Sequence, residues 1–486
     1  MSGNGKWETV IGLEVHAQMS TASKLFCACS AAFGAPANHH TCPVCLGMPG
    51  VLPVLNERAV EFAIRAALAT GCNINPESRW ARKNYFYPDL PKAYQISQYD
   101  QPYAEDGTVT IELEGAGEPR EIRLERIHME EDAGKNIHDA RAGSSHVDLN
   151  RAGVPLLEIV SRPDLRTPAE AGAYLRKLRS IVRYLGICDG NMNEGSLRCD
   201  ANVSVRLVGT EELGTRTETK NMNSFRAVER AIAHESERQI QLIEAGQRIV
   251  QETRLWDADR SLTRSMRSKE EAHDYRYFPD PDLLPLLIPA ELVDKVRASM
   301  PELPDQRRQR FMDAFGLPAY DAAVLTSSKD LADYYEAAVS VHDSPKAISN
   351  WVMGDIMRTA NEAAGEGEPD YTAIPVNPSD LARMVRLIDQ GTISGKIAKQ
   401  VFEHMAGGDT DPAAIVEREG LVQESDEGKL GGIIDAVLAD NPEQVAQFKA
   451  GKTKVVGFLV GQVMKETGGK ANPQVVNQLL SEKLGA

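Results

Sequence analysis

The sequence predicts an α+β fold, a largely antiparallel sheet with helices, followed by helices alone. Three observations carry this. As far as about Pro289, short runs alternate apolar and polar residues with the period of two that a half-buried strand requires. Capped helical stretches interrupt those runs without a strict βαβ alternation, which favours antiparallel pairing over a doubly wound sheet. Past Pro301-Glu-Leu-Pro304 the strand patterns fade. A chain of 486 residues is also too long for one core, so the boundaries are drawn at 1–294, 295–407 and 408–486.

Element by element, Thr9-Val-Ile-Gly-Leu-Glu-Val-His16 and Glu121 to Met129 have strand period. Thr167-Pro-Ala-Glu170 is a capping box with proline at the first helical position, and its helix should run to Gly186. A second helix spans about Ser224 to Gly246 through Val228, Ile232, Ile240 and Ile243. Later, Arg307 to Phe315, Lys329 to Val339 and Ile348 to Ala360 read as helices, the last ending in the polar linker Gly365 to Pro369. Another helical stretch follows Pro378-Ser379 and breaks at Gly407-Gly-Asp-Thr-Asp-Pro412. The remainder, to Ala486, is helical again.

A formal net charge of -16 excludes a globally basic nucleic-acid coat, so RNA contacts must come from local patches or shape. Every apolar run is broken by charge or proline before it reaches membrane-spanning length. Met1 to Thr9 resembles neither a secretory signal nor a transit peptide, and the expected home is a cytoplasm. Four of the seven cysteines lie between residues 27 and 45, as Cys27-x-Cys29, a gap of twelve, then Cys42-x-x-Cys45. In a reducing compartment this spacing predicts a tetrahedral zinc clamp that folds a loop and leaves no open position for catalysis.

Candidate catalytic residues come from four segments. In Gly12-Leu-Glu-Val-His16 a strand sends Leu13 and Val15 to one face, Glu14 and His16 to the other. Those two can share an ion or simply meet solvent. In Ile127-His-Met-Glu-Glu-Asp-Ala-Gly134 strand parity puts Glu131 on the side of Ile127 and Met129, so Glu131 is the carboxylate expected inside. Glu158 sits within Leu-Leu-Glu-Ile-Val, where an unpaired carboxylate is costly, so it needs an arginine or a metal. Carboxylates Glu14, Glu131 and Glu158 would suit Mg²⁺, whereas His16 is a less favoured ligand for it. The fourth segment, Arg82-Lys-Asn-Tyr-Phe-Tyr-Pro-Asp-Leu-Pro-Lys-Ala-Tyr-Gln95, interleaves cations with aromatics. It suits phosphate and base contacts, or packs as a proline-rich loop. No Walker A pattern occurs, so any ATP must be positioned by carboxylate-held ions. Near the end, Lys449, Lys452, Lys454, Lys465 and Lys470 surround the apolar Val455 to Gly461 run: a phosphate patch or an ordinary helix surface.

Together these segments closely resemble the B-subunit family of aminoacyl-tRNA amidotransferases over essentially the whole chain. The carriers are Trp7 to His16, Arg82 to Pro88, His128-Met-Glu-Glu-Asp-Ala-Gly-Lys135, Asp148 to Glu158, Glu194 to Asn202, Asp274-Tyr-Arg-Tyr-Phe-Pro279 and Gly457-Phe-Leu-Val-Gly-Gln462. The resemblance implies a catalytic cradle of the glutamine synthetase and guanido kinase type over 1–294, a helical domain, and a tRNA-contacting tail over 408–486. It implies that the side-chain carboxylate of Glu-tRNA(Gln) or Asp-tRNA(Asn) is phosphorylated with ATP and then amidated by ammonia from a partner. Glu14, His16, Glu131 and Glu158 would hold Mg²⁺, with Lys83 and Lys92 catalytic. Arg82, Lys83 and Tyr87 would contact ATP, and Lys452, Lys454, Lys465 and Lys470 would contact tRNA. The zinc clamp occurs in some members only. Implied partners are an amidase-type A subunit, a small C subunit, the tRNA and a non-discriminating aminoacyl-tRNA synthetase. Ser327-Ser-Lys329 resembles a fragment of an amidase signature but lacks its glycine-rich surroundings, so ammonia must come from elsewhere. The competing expectation is a non-catalytic, zinc-containing tRNA-binding scaffold, which leaves the carboxylates without a task.

Overall fold

Alternation along the first strand sets the whole amino-terminal unit. In Trp7–Gln18, Ile11, Leu13, Val15 and Ala17 are completely buried, while the residues between them face the other way. In the computed structural model, which describes residues 6–113, 116–139, 144–268, 275–365, 369–422, 424, 426–450, 452–468 and 470–485, this strand is central to a ten-stranded sheet. Its neighbours are Leu197–Leu207 on one side and Pro155–Ser161 on the other, both antiparallel. Beyond Pro155–Ser161 lies Ala116–Glu131, and beyond Leu197–Leu207 come Thr217–Lys220, Glu252–Asp257 and Leu262–Ser268. Only Thr217–Lys220 and Glu252–Asp257 run parallel among the named pairs of this sheet. The largely antiparallel expectation holds.

Helices cover one face of the sheet. Pro168–Tyr184 and Phe225–Glu244 pack Leu175, Leu178, Val228 and Ile232 into the core that holds Ile11, Leu13, Ile127, Met129, Leu157 and Ala201. Each fully buried aliphatic side chain here contributes roughly 1.5–3 kcal/mol. The Thr167 half of the capping box forms, with Thr167 Oγ1 accepting from Glu170 N at 3.1 Å. Glu170 turns back to accept from Arg166 N at 2.6 Å, and Arg120 holds its other oxygen. Ser224 Oγ caps the later helix through Ala227 N.

The chain divides into compact units Met1–Leu303 and Pro304–Ala486. Within the second unit two cores are distinct, one from Phe311 to Val416 and one from Leu430 to Leu484. Arg307–Phe315 and Lys329–Val339 are found as Pro304–Phe315 and Lys329–Val341. The expected helix over Ile348–Ala360 is instead three pieces: Pro345–Trp351, a π-helical turn at Val352–Ile356, and Met357–Ala364. Periodicity could not reveal that extra residue per turn, because Ile348, Val352, Ile356 and Ala360 stay at four-residue spacing and all are buried.

Candidate active site

The face of the sheet away from the helices carries charge. Antiparallel register puts His16 opposite Glu158, Glu158 opposite His128, and Glu14 opposite Asp200. Directly opposed residues share a face, so these side chains form rows across three or four strands. One further strand along, Asn202 is opposite Glu218. The rows floor a cleft of about 600 Å³, lined also by Lys83, Arg126, Arg216, Lys220, Thr253 and several tyrosines.

Two carboxylate groupings are distinguishable. In the first, His16 Nε2 lies 3.4 Å from Glu130 and 3.3 Å from Glu158, while His128 Nε2 lies 3.3 Å from Glu158. Burial works against the charged form of His16, but hydrogen bonds to Glu130 and Glu158 outweigh it and raise its pKa to about 10. Burial likewise opposes ionisation of Glu130, yet hydrogen bonds from His128 and His16 hold it down at about 2. A histidine between two buried carboxylates marks a place that favours positive charge. The donor atoms of His16, Glu130 and Glu158 lie within 4.8 Å of one another, so these three could hold a divalent ion. In the second grouping, Asn202 Nδ2 donates to Glu14 at 2.8 Å, and Lys220 pairs with Asp200 and lies 3.5 Å from Glu218.

Not every expected residue arrives at this cleft. Glu131 does face the side of Ile127 and Met129, but that side is not the cleft: Lys92 pairs with its carboxylate and Ile96 N donates to it at 2.9 Å. Glu130 stands beside His16 and Glu158 in its place. Glu131 is held inside, as its parity predicts, but both faces of this strand are buried, and it lies on the one away from His16 and Glu158. Glu14-Val-His16 and His128-Met-Glu130 are the same alternation read in opposite directions, and that was the available signal. Asp200 and Glu218 were missed for want of any knowledge of register. Arg82 is engaged by Asp280 at 2.7 Å and Asp282 at 2.9 Å and lies over the Tyr94 ring, away from the cleft residues. Lys83 and Tyr87 do line the cleft. Among the described residues Lys83 has no contacting carboxylate; its ammonium sits 5.1 Å from the Tyr275 ring. Burial disfavours its charge, but the fields of Glu130, Tyr277 and Glu158 prevail and its pKa is raised. Asp274 of the segment ending at Pro279 lies outside the described residues.

The cysteines converge as their spacing predicts. The sulfurs of Cys27, Cys29, Cys42 and Cys45 all lie within 4.8 Å of one another. Cys45 is the most acidic: the Cys27 thiol donates to it, and against its burial the Cys42 N–H and the Lys24 charge add to bring its pKa to about 4. Lys24 is wholly buried, with Nζ 2.7 Å from His40 O and 3.7 Å from Cys45 Sγ. A buried cation beside clustered thiols favours their thiolate form, which is the form that binds zinc. The loop forms one wall of a chamber of about 170 Å³ whose other wall includes Lys92 and Glu131. Gly47 closes it with φ +67°, where a Cβ would lie 2.5 Å from Lys92 Cγ.

Comparison with known proteins adds what geometry does not. A model of the GatB/GatE catalytic domain matches residues 9–294, and a model of the GatB domain matches residues 333–484. The chain belongs to the GatB/GatE family. The B-subunit of the aspartyl/glutamyl-tRNA(Asn/Gln) amidotransferase from Geotalea daltonii is 59% identical over 482 residues, covering 99% of each chain. Proteins of the same name from Pelodictyon phaeoclathratiforme and Carboxydothermus hydrogenoformans are 58% and 55% identical, again over 99% of each chain. The similarity therefore spans the sheet unit and both helical cores.

Two remaining segments bear on partners. Ser327 Oγ donates to Val324 O at 2.7 Å, and Lys329 pairs with Asp333. In the tail Lys452, Lys454, Lys465 and Lys470 are all exposed. Lys470 nevertheless gives its ammonium to Gly420 O at 2.7 Å, whereas Lys452 and Lys454 rim a shallow groove with Gln444, Gln447 and Phe458. No described helix is long and apolar enough to cross a membrane.

Proposed function

We propose that this chain activates and amidates the side-chain carboxylate of Glu-tRNA(Gln), Asp-tRNA(Asn) or both, using ATP and ammonia delivered by a partner subunit in a cytoplasmic complex. Family membership supports the coarser statement that it is a component of a tRNA-dependent amidotransferase. The observation that carries the finer one is a single cleft lined by Glu14, His16, Glu158, Asp200 and Glu218, with Glu130 buried against His16 and Glu158 to complete a set that could hold an ion. A scaffold that merely bound tRNA would have no reason to bury so many ionisable groups at such cost.

The chemistry asks for this arrangement. A carboxylate becomes a good acyl donor only when one oxygen leaves as phosphate. Its oxygen attacks the γ-phosphorus of ATP and ADP departs; ammonia then adds to the acyl carbon and phosphate leaves. Substrate and nucleotide are both anionic, so the cleft must screen charge while aligning them. A divalent ion held by His16, Glu130 and Glu158 would supply much of that screening. Lys83, which lines the same cleft, would extend it. Lys220 and Arg216 counter the acids at the other end. The four cysteines would hold zinc for structure only. A complex reconstituted with amidase-type A and small C subunits should release phosphate from ATP only when Glu-tRNA(Gln) or Asp-tRNA(Asn) is present. Phosphate release with no dependence on aminoacyl-tRNA would refute the assignment.

Two further outcomes follow from the residues. The isolated chain should show no glutamine hydrolysis, because the Ser327-Ser-Lys329 fragment lacks the glycine-rich surroundings of an amidase signature; measurable glutaminase activity in pure protein would contradict the reading. Replacing Lys452 and Lys454 together by Ala should flatten the salt dependence of tRNA binding by up to about two in logarithmic slope, roughly one for each phosphate no longer neutralised. Titrations at several salt concentrations measure this, and an unchanged slope in folded protein would assign those lysines to solubility alone.

A further inference from the structure

We infer that the stacked pair Tyr99 and Tyr277, at the Lys83 end of the cleft, is the seat of an adenine ring; this rests on the proposed reaction, both of whose large substrates end in adenosine. The two rings lie 4.1 Å apart at an interplanar angle of 9°. Both line the cleft, and Tyr99 remains 44% exposed, so ring surface is available to a third planar group. The pair joins segments far apart in sequence, and the joint is strained. Arg276, between Tyr275 and Tyr277, has φ +44°, a conformation a long side chain seldom adopts. Asn84 Nδ2 holds it there by donating to Tyr275 O at 3.1 Å and Arg276 O at 2.8 Å. Strain kept by dedicated hydrogen bonds beside a cleft is characteristic of functional positioning. What it positions is Tyr277 flat against Tyr99 and Tyr275 edge-on to Tyr277, with Lys83 over the Tyr275 ring. Flat aromatic surface next to a fixed cation recognises a base and the phosphate or carboxylate attached to it, with little dependence on hydrogen-bond pattern.

The adenine can come from ATP or from the 3′-terminal adenosine of the aminoacyl-tRNA, and direct binding separates them. Dissociation constants are measured on the full complex for ATP, and for 3′-glutamylamino-3′-deoxyadenosine, an amide mimic of the charged tRNA end. Tyr99→Ala should weaken one of the two by about tenfold, the size of one lost base–aromatic stack, and Tyr99→Phe, which keeps the ring, should restore it. Loss for ATP alone assigns the seat to the nucleotide; loss for the mimic alone assigns it to the tRNA end. Equal affinities for both ligands in wild type and Tyr99→Ala, with the variant's thermal transition unchanged, overturn the inference, as does wild-type complex that binds neither. Failure of the reaction itself reads differently: binding that responds to Tyr99 without any amidation leaves the seat in place and removes the proposed activity.

Discussion

Replacing Glu130 by Gln in the reconstituted complex should lower the rate of ATP-dependent amidation on the order of 10²-fold or more, with tRNA affinity nearly unchanged. Glu158→Gln should do the same. Each change keeps the side-chain volume and removes one of the two negative charges that His16 and His128 now bridge. What is lost is the capacity to hold positive charge against the moving phosphoryl group, a term felt most in the transition state. Single-turnover measurement of phosphate release, beside equilibrium tRNA binding, separates this from a binding defect. Glu131→Gln is the informative contrast. That carboxylate is paired with Lys92, so its loss strands a buried ammonium and should appear first as reduced stability, on the order of 3–5 kcal/mol for a broken buried pair. If Glu130→Gln leaves amidation intact, the cation-binding role of the His16 grouping is wrong.

The Glu130–Glu131 distinction also shows where the sequence stops being legible. Element type is a local property, and the strands over Thr9–His16 and Glu121–Met129 and the helix capped by Thr167 are found where period and capping place them. Face is local too: Glu131 does share a side with Met129. Which face receives the ligand is not local. It depends on what covers the sheet, and here helices take the apolar side while the cleft occupies the other. Asp200 and Glu218 become candidates only once Glu14 is known to lie opposite Asp200, on a strand far along the chain, and Asn202 opposite Glu218, both matters of register. Arg82 shows the same dependence on distant residues. A cation among aromatics reads as a phosphate contact, but its partners Asp280 and Asp282 lie far down the chain. By contrast the cysteine loop was legible, since all four sulfurs come from one short segment whose spacing already restricts the geometry.

That loop yields the second large effect. Protein purified without chelators should contain about one zinc per chain on Cys27, Cys29, Cys42 and Cys45, with sulfur distances of about 2.3 Å. Cys45→Ser should lose the metal and cost on the order of a few kcal/mol in stability. Cys45 is the buried member of the set, and its thiolate is the group that answers the Lys24 ammonium 3.7 Å away. Lys24 would keep its carbonyl bonds to His40 and Leu149, which offset part of the loss, but it would remain a wholly buried cation without a counter-charge. The consequence should spread beyond the loop. Phe26 O accepts from Val54 N, Asn56 caps the following helix, and Gly47 packs on Lys92, so the clamp anchors the entry to Glu57–Ala69 and the wall opposite Glu131. Limited proteolysis should therefore cut Cys45→Ser within residues 30–55 under conditions that spare the wild type, and its thermal transition should fall. Cys29→Ser, at the more exposed end of the cluster, should do less. Elemental analysis and X-ray absorption at the zinc edge test the metal directly. Fully folded, protease-resistant wild-type protein containing no zinc would refute the clamp.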